Sequence, residues 1–173
     1  IYGDAGKAFE YGAKGGVAFV LGDLIDRPLI NAVGSATAVI NGSCKDYMGE
    51  SCMAANGFTI LNGMRFDKRG RLLEQETPYP GGNLLPLAAA GAVFLRDPKY
   101  TVGEDQLNGA KIVPLSEEDW RRVLPLLEEN EKLFGVRVEN LLTVDDVKKR
   151  PEEEYRKVVP VEIAALARYE RGI

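Results

Sequence analysis

Five short runs of β-favouring residues punctuate the first two thirds of the chain. VAFVLG begins at Val17, TAVING at Thr37, FTILNG at Phe58, AVFLRD at Ala92 and AKIVPL at Ala110, at intervals of 20, 21, 34 and 18 residues. The first four close on Gly, Asn-Gly or Asp, so turn residues recur in a fixed phase behind each run. A repeat of this length and composition is the signature of stacked coils. Each run returns in the same direction with no helix between, which predicts parallel pairing at about 4.8 Å and excludes a doubly wound sheet. The expected fold is all-β: a right-handed parallel β-helix, a single-stranded solenoid, over residues 1–115. Its ends would carry unpaired edges that must be capped or covered.

Glycine placement supports the same expectation. Seventeen of the 19 glycines lie between Gly3 and Gly109. Where alanine would serve as well, each would cost roughly 0.5–1 kcal/mol, a total comparable to the whole stability of a domain, about 5–15 kcal/mol. Many are therefore expected at corners with positive φ, with Gly22, Gly42 and Gly63 sharing one phase. The long third interval holds an insertion at about residues 64–83, MRFDKRGRLLEQETPYPGGN. Its polar, proline-punctuated composition marks a solvent-facing excursion or an arm gripping a neighbouring subunit.

Beyond Pro114 the period changes to that of a helix. Residues 116–156 carry 12 acidic and 8 basic side chains with a single glycine, so the net charge of −4 resides there. Ser116 with Asp119 gives a capping-box start signal. Trp120, Val123, Leu124, Leu127 and Phe134 then share one helical face, and Gly135 ends it. Pro125 is expected to bend or split this helix. Thr143 with Asp146 predicts a second, short helix ended by Pro151, and residues Val161 to Arg171 a third. Residues 116–173 thus read as a C-terminal α-helical extension in which Trp120 and its neighbours cap the last coil.

A chain of 173 residues with 45% hydrophobic content supports one core with an appendage. A pI near 5.1 gives no electrostatic case for nucleic acid or an anionic membrane. No apolar run approaches about 18 residues and no leader pattern opens the chain, so neither a spanning helix nor a signal peptide is expected. A cytoplasmic setting follows as the expectation.

Histidine is absent, which removes Ser-His-Asp and Cys-His nucleophile systems and the usual catalytic zinc sites. Cys44 and Cys52, eight apart, match no C-x-x-C pattern and are expected to be packing residues pointing to different faces. GDAGKAF and NGAKIV place Gly before Lys without the spacing of a phosphate loop. Asp4, Asp46 and Glu50 are the candidates for the carboxylate cluster of a carbohydrate-active β-helix enzyme, but they do not recur in register. No residue is assigned a catalytic, cofactor-binding or metal-binding role.

The stretch CKDYMGESCMAANGFTILNG resembles the coils of the C-terminal GXGXG domain of the glutamate synthase alpha subunit. The theme is an acidic residue, an aromatic, an aliphatic, Gly-Glu, then Met, a glycine pair and an aliphatic run. Here those places are Asp46, Tyr47, Met48, Gly49, Glu50, Met53, Gly57 and Phe58 to Leu61, with Asn56 replacing the first Gly of the pair. GDAGKAFEYGAKGGVAFVLG is a second such coil, with Gly15 and Gly16 paired. The β-helical scaffold subunit of formylmethanofuran dehydrogenase shares the coil theme. The tail, KIVPLSEEDWRRVLPLLEENEKLFGV followed by YRKVVPVEIAAL, is similar to the ending of stand-alone glutamate synthase domain proteins. Members of that family usually carry further coils upstream.

The resemblance implies a non-catalytic scaffold. It would hold the amidotransferase and FMN-dependent synthase parts of a glutamate synthase complex together in glutamate biosynthesis. FMN and an iron-sulfur cluster would reside in those partner subunits, and the chain would belong to an oxidoreductase complex without catalytic residues of its own. Partners would meet its coil faces and open N-terminal edge, and that edge would also serve homo-oligomer formation. The alternatives are the corresponding scaffold of a formylmethanofuran dehydrogenase and a carbohydrate-active β-helix enzyme.

Overall fold

The computed structural model describes residues 1–162. Ten strands and three α-helices follow in order. Strands β1 (Val17–Val20), β2 (Thr37–Ile40) and β3 (Thr59–Leu61) precede a hairpin of β4 (Met64–Phe66) and β5 (Leu72–Glu74). After them come β6 (Val93–Arg96), β7 (Ala110–Pro114), α1 (Glu117–Phe134) and α2 (Val138–Leu141). A second hairpin, β8 (Thr143–Val144) and β9 (Val147–Lys148), leads to α3 (Pro151–Glu154) and β10 (Tyr155–Pro160). The third helix expected over Val161 to Arg171 lies outside the described residues, apart from its first two positions.

The principal sheet has six strands in the order β1-β2-β3-β6-β10-β7. β1, β2, β3 and β6 pair in parallel with Val17 against Thr37, Ala38 against Thr59, and Thr59 against Val93. β10 then enters antiparallel to both β6 and β7, with Tyr155 opposite Arg96 and Val158 opposite Ile112. The fifth β-favouring run, at Ala110, does not pair directly with the fourth.

The expected all-β, right-handed parallel β-helix with a helical cap is therefore corrected to a mixed α/β fold. Its sheet is mixed, and an 18-residue helix lies against one face of it. The reason is that Tyr155 and Val158 present apolar side chains to opposite sides of a short strand, as Phe94 and Val93 do on β6. An edge left by a parallel set is satisfied as well by an antiparallel strand from distant sequence.

Alternation along the strands builds two cores. Ala38, Ile40, Leu61, Val93, Leu95 and Val158 face one side, against the turn segments that connect the strands. Val39, Ile60, Phe94 and Tyr155 face the other, against Val123 and Leu127 of α1. β2 and β6 are consequently buried along their whole length.

Helix α1 starts as its sequence predicts. The Ser116 hydroxyl accepts the Asp119 N–H at 3.1 Å, and the Asp119 carboxylate accepts the Ser116 N–H at 3.1 Å. Gly135 closes the helix in the left-handed conformation, φ 72°. Pro125 neither splits nor ends it: the residue sits on the exposed side, where a carbonyl deprived of its intrahelical partner turns to water. The helix lies on the sheet face, not over the end of the stack as expected; the end is covered by β10.

The second predicted helix is also corrected. Thr143 and Asp146 belong to the β8–β9 hairpin, whose central residues Asp145 and Asp146 have φ of 49° and 61°. Aspartate tolerates this mirror-image turn and its twist suits a two-residue hairpin. Pro151 opens α3 and does not close a preceding helix.

A buried ladder of amides ties the helix to the sheet. Asn41 and Asn130 exchange reciprocal amide hydrogen bonds at 2.8 Å. Asn62 donates to the Asn41 carbonyl oxygen at 3.1 Å, and the Tyr155 hydroxyl donates to that of Asn62 at 2.8 Å. All four side chains are closed to solvent.

A second tie joins α1 to β10. The Lys157 ammonium meets the Asp119 carboxylate at 2.6 Å. Burial pushes the Asp119 carboxyl up, but hydrogen bonds from Lys157 and Ser116 outweigh it and hold the group below the ordinary aspartate range. Such a depressed group contributes stability that is present above its unfolded value, near 3.9, and is lost as pH falls through its lower folded value. Asp119→Asn is expected to lower stability by about 2 kcal/mol at pH 7. In urea titrations across a pH series the gap to the parent protein should narrow below about pH 4; a gap constant from neutral to acid pH would contradict the assignment.

Candidate functional site

The segments between the parallel strands carry most of the residues singled out in the sequence. They lie over one another, joined by single parallel bridges from Ala5 to Leu24 to Cys44 and from Val33 to Met53 to Ala90. Between these bridges the backbone turns left-handed at alternate residues, in three columns. The first runs through Ala8, Arg27, Tyr47 and Asn83; the second through Glu10, Leu29, Gly49 and Leu85; the third through Gly12, Asn31, Ser51 and Leu87.

Only two of the twelve are glycines, although a left-handed residue other than glycine costs roughly 1–2 kcal/mol. The compensation is hydrogen bonding from each segment to the next: Arg27 N–H to Asp46 C=O at 2.8 Å, Leu29 to Phe9 at 2.8 Å, and Ser51 to Pro86 at 2.8 Å. The expectation for Gly22 and Gly42 is thereby corrected. Gly63 has φ of 63°, but Gly22 and Gly42 are absent from the left-handed region. They are required instead by close approach: a Cβ on Gly42 would stand 2.5 Å from the Gly22 carbonyl oxygen, and one on Gly22 2.7 Å from the Asp4 nitrogen.

Within the stretch from Cys44 to Leu61, each distinctive side chain has a task in this arrangement. Asp46 accepts the Gly82 N–H at 2.7 Å. Tyr47 lies 4.7 Å under the Arg27 guanidinium, which also meets Glu50 at 3.2 Å. Gly49 faces Leu85, whose Cδ2 leaves no room for a Cβ, and Gly57 sits against the backbone of Ala36.

The carboxylates named in the sequence do not converge. Asp4 accepts the Asp23 N–H at 2.8 Å, far along the segment from Asp46 and Glu50. Asp23, which belongs to none of the motifs legible in the sequence, continues this column by accepting from Ser43 N–H at 2.6 Å and from Gln75 at 2.8 Å. The repeated Gly-Asp and Gly-Ser pairs at Gly3, Gly22 and Gly42 are the one signal that could have found it. Among the described residues no three potential metal-ligating side chains group together.

Cys44 and Cys52 are free and buried, and both line the same core cluster, so the expectation of different faces is corrected. Burial pushes both thiols up, Cys44 furthest, with Asp26, Asp46 and Asp23 adding to its shift. Neither is therefore a ready nucleophile at neutral pH.

The insertion is anchored more firmly than its composition suggests. Its β4–β5 hairpin extends into solvent around Lys68 to Arg71, but Tyr79 is fully buried and donates to Gly82 C=O at 2.6 Å. Buried Arg96 holds its base through Glu74 at 3.1 Å and ties it to α3 through Glu154 at 3.4 Å and to α2 through the Leu141 carbonyl at 2.7 Å.

What the arrangement offers to a partner is a lateral stripe across the stacked segments. YGAKG, NAVGS, SCMAA and LAAA lie one over another from Tyr11 to Ala90, and Lys14 is the sole charge among them. Tyr11 is 65% exposed, Met53 53% and Leu87 81%. Beside it, a groove of about 500 Å³ between the strand ends and α1 is lined by Val17, Phe58, Arg121, Arg122 and Leu126. No helix among the described residues is long and apolar enough to cross a membrane. In comparisons with known proteins, no family model, curated protein or solved structure matches the chain.

Proposed function

We propose that the chain is a non-catalytic scaffold of a cytoplasmic glutamate synthase complex. In ammonia assimilation it holds an amidotransferase and an FMN-dependent synthase in fixed relation. The reading rests on the resemblance of the Cys44–Leu61 stretch, and the observation that carries it is how those residues are employed. Asp46, Tyr47, Gly49, Glu50 and Gly57 each secure one segment to its neighbour, by a backbone N–H, an arginine or a close approach. Carboxylates committed in this way stiffen a surface, and a spacer between two catalytic units needs stiffness. The stripe, apolar at Met53 and Leu87 and charged only at Lys14, supplies contact area of the kind found at the centre of interfaces. On this reading FMN and the iron-sulfur cluster are held by the synthase partner.

Gentle affinity purification from the native source tests the proposal. The expected result is recovery of an amidotransferase and a flavoprotein with the chain. Adding the chain to the separated subunits should also raise glutamine-dependent glutamate formation relative to the ammonia-dependent reaction. Recovery of neither partner, or of a molybdenum or tungsten dehydrogenase in their place, overturns it.

A further inference from the structure

We infer that the tip of the β4–β5 hairpin, with Arg65, Phe66, Lys68 and Arg69, is a docking site for a short acidic segment of a protein partner. Residues 65, 66 and 68–71 are exposed, while the base of the hairpin is fixed. Met64 at its start is buried, the Gln75 N–H meets the Gly63 carbonyl at 2.7 Å, and the Gln75 side chain donates to Asp23 at 2.8 Å. Glu74 is held between Arg96 at 3.1 Å and Lys99 at 3.2 Å. An arm anchored in this way presents its tip in one orientation and loses little freedom on binding.

Charge at the tip is opposite to that of the rest of the chain. Residues 65–71, RFDKRGR, hold four basic side chains and one acidic, a net +3; with a chain total of −4, the remaining residues carry −7. The single carboxylate of the tip is already committed. Asp67 accepts the Arg69 N–H at 2.8 Å, the Arg71 N–H at 2.9 Å and the Arg71 guanidinium at 2.8 Å, which closes the turn through Gly70 at φ 73°. Arg71 is thereby paired, whereas Arg65, Lys68 and Arg69 form no side-chain ion pair or hydrogen bond among the described residues. Their donors remain available to carboxylates, which the arginine fork matches with two parallel bonds. Phe66, 36% exposed, adds an apolar contact among them.

The extent of the patch selects the occupant. The hairpin strands are three residues long, about 10 Å, and salt confines their field to about 8 Å at physiological ionic strength. A nucleic-acid duplex or an anionic membrane reaches past such a patch and meets the negative remainder of the protein. An acidic segment of a few residues fits within it, and an apolar residue among its carboxylates meets Phe66. This contact is made by the arm and not by the segments between the parallel strands, and it does not depend on the glutamate synthase reading.

Fluorescence anisotropy with the full chain and a labelled glutamate-rich peptide carrying one central leucine tests this. Binding is expected with a Kd of about 100 µM or tighter at about 20 mM salt, and at least about fivefold weaker at about 150 mM. Lys68→Glu combined with Arg69→Glu should abolish it, whereas the same change of net charge elsewhere, Lys132→Glu with Lys148→Glu, should leave it within about twofold. Phe66→Ala should weaken binding about threefold or more without altering its salt dependence. Circular dichroism shows whether each variant is folded; if the reversed tip unfolds, Arg65→Ala, expected to weaken binding about threefold, takes its place. Absence of binding overturns the inference, as does equal binding by a folded hairpin variant. Tighter binding to an oligothymidylate of equal charge, or to phosphatidylserine vesicles, overturns it as well. None of these outcomes bears on whether an amidotransferase or synthase binds the chain.

Discussion

Replacing Asn41 with leucine is expected to destabilise the protein by about 4 kcal/mol or more, although the two side chains are similar in size. Asn41 is 1% exposed and sits at the centre of the amide ladder. Its loss strands the donor and acceptor of Asn130 and the donor of Asn62, three buried polar groups beyond the reach of water. Each such group costs about 1–3 kcal/mol when left unpaired. Asn130→Leu should cost less, because Asn41 keeps Val20 C=O and Asn62 as partners and only one of its N–H bonds is orphaned.

The double variant should be less destabilised than the sum of the singles, since removing both amides leaves fewer unpaired groups than the two separate changes. Urea unfolding of the three variants, with unchanged dependence on denaturant, measures all of this. A loss below about 1 kcal/mol for Asn41→Leu would show that the ladder is incidental to stability.

The ladder also shows where the sequence was legible and where it was not. TAVING and FTILNG were readable as strands closed by turns, and the strands pair at the spacing of those runs, Ala38 against Thr59. The asparagines in them looked like turn residues, because Asn-Gly favours turns in any context. Their actual task, a column of amides received by Asn130 from distant sequence, leaves no local trace. The same holds for β10. Tyr155 to Pro160 is a short segment behind a run of glutamates, and what makes it a strand is two sheet edges, β6 and β7, from elsewhere in the chain. Helix α1, whose cap, apolar face and terminating glycine are all local, was readable almost to the residue. Its placement was not: choosing the sheet face over the stack end depends on Val39, Ile60 and Phe94 being left uncovered by everything else.

For the segments between the parallel strands, residue type was informative and residue role was not. That the thiols are packing residues followed from their spacing; that both line one interior required the register of Cys44 and Cys52 around the turn. The left-handed columns were hidden because Leu29, Tyr47 and Leu85 are poor candidates for such backbone. In that conformation their N–H groups reach carbonyls of neighbouring segments, Leu29 to Phe9, Tyr47 to Gly82 and Leu85 to Met48, an instance of tertiary structure overriding local preference.

Gly57→Ala is the sharpest test of that close stacking. Gly57 precedes β3 as Ala36 precedes β2, and a Cβ there would overlap the Ala36 carbonyl oxygen and lie 2.9 Å from its carbon. Ordinary contact distance is about 3.5 Å, and the obstruction is backbone, which cannot rotate aside as a side chain can. The methyl group must therefore prise apart β2 and β3 at the point where Ala38 pairs with Thr59. Overpacking of a close-packed interior costs about 1–3 kcal/mol and more where backbone must move, so a loss of about 3 kcal/mol or more is expected. For a domain of this size that corresponds to a fall in Tm of roughly 6–12 °C.

Two other glycines separate the causes. Gly6 faces open space without a left-handed φ, and Gly6→Ala should change stability by less than about 0.5 kcal/mol. Gly12 also faces open space but has φ of 64°, and Gly12→Ala should cost about 1 kcal/mol from backbone strain alone. The order Gly57, Gly12, Gly6 is thus set by three different surroundings of one residue type. Thermal unfolding that places Gly57→Ala beside Gly6→Ala would mean that the segments are not stacked as closely as their backbones indicate.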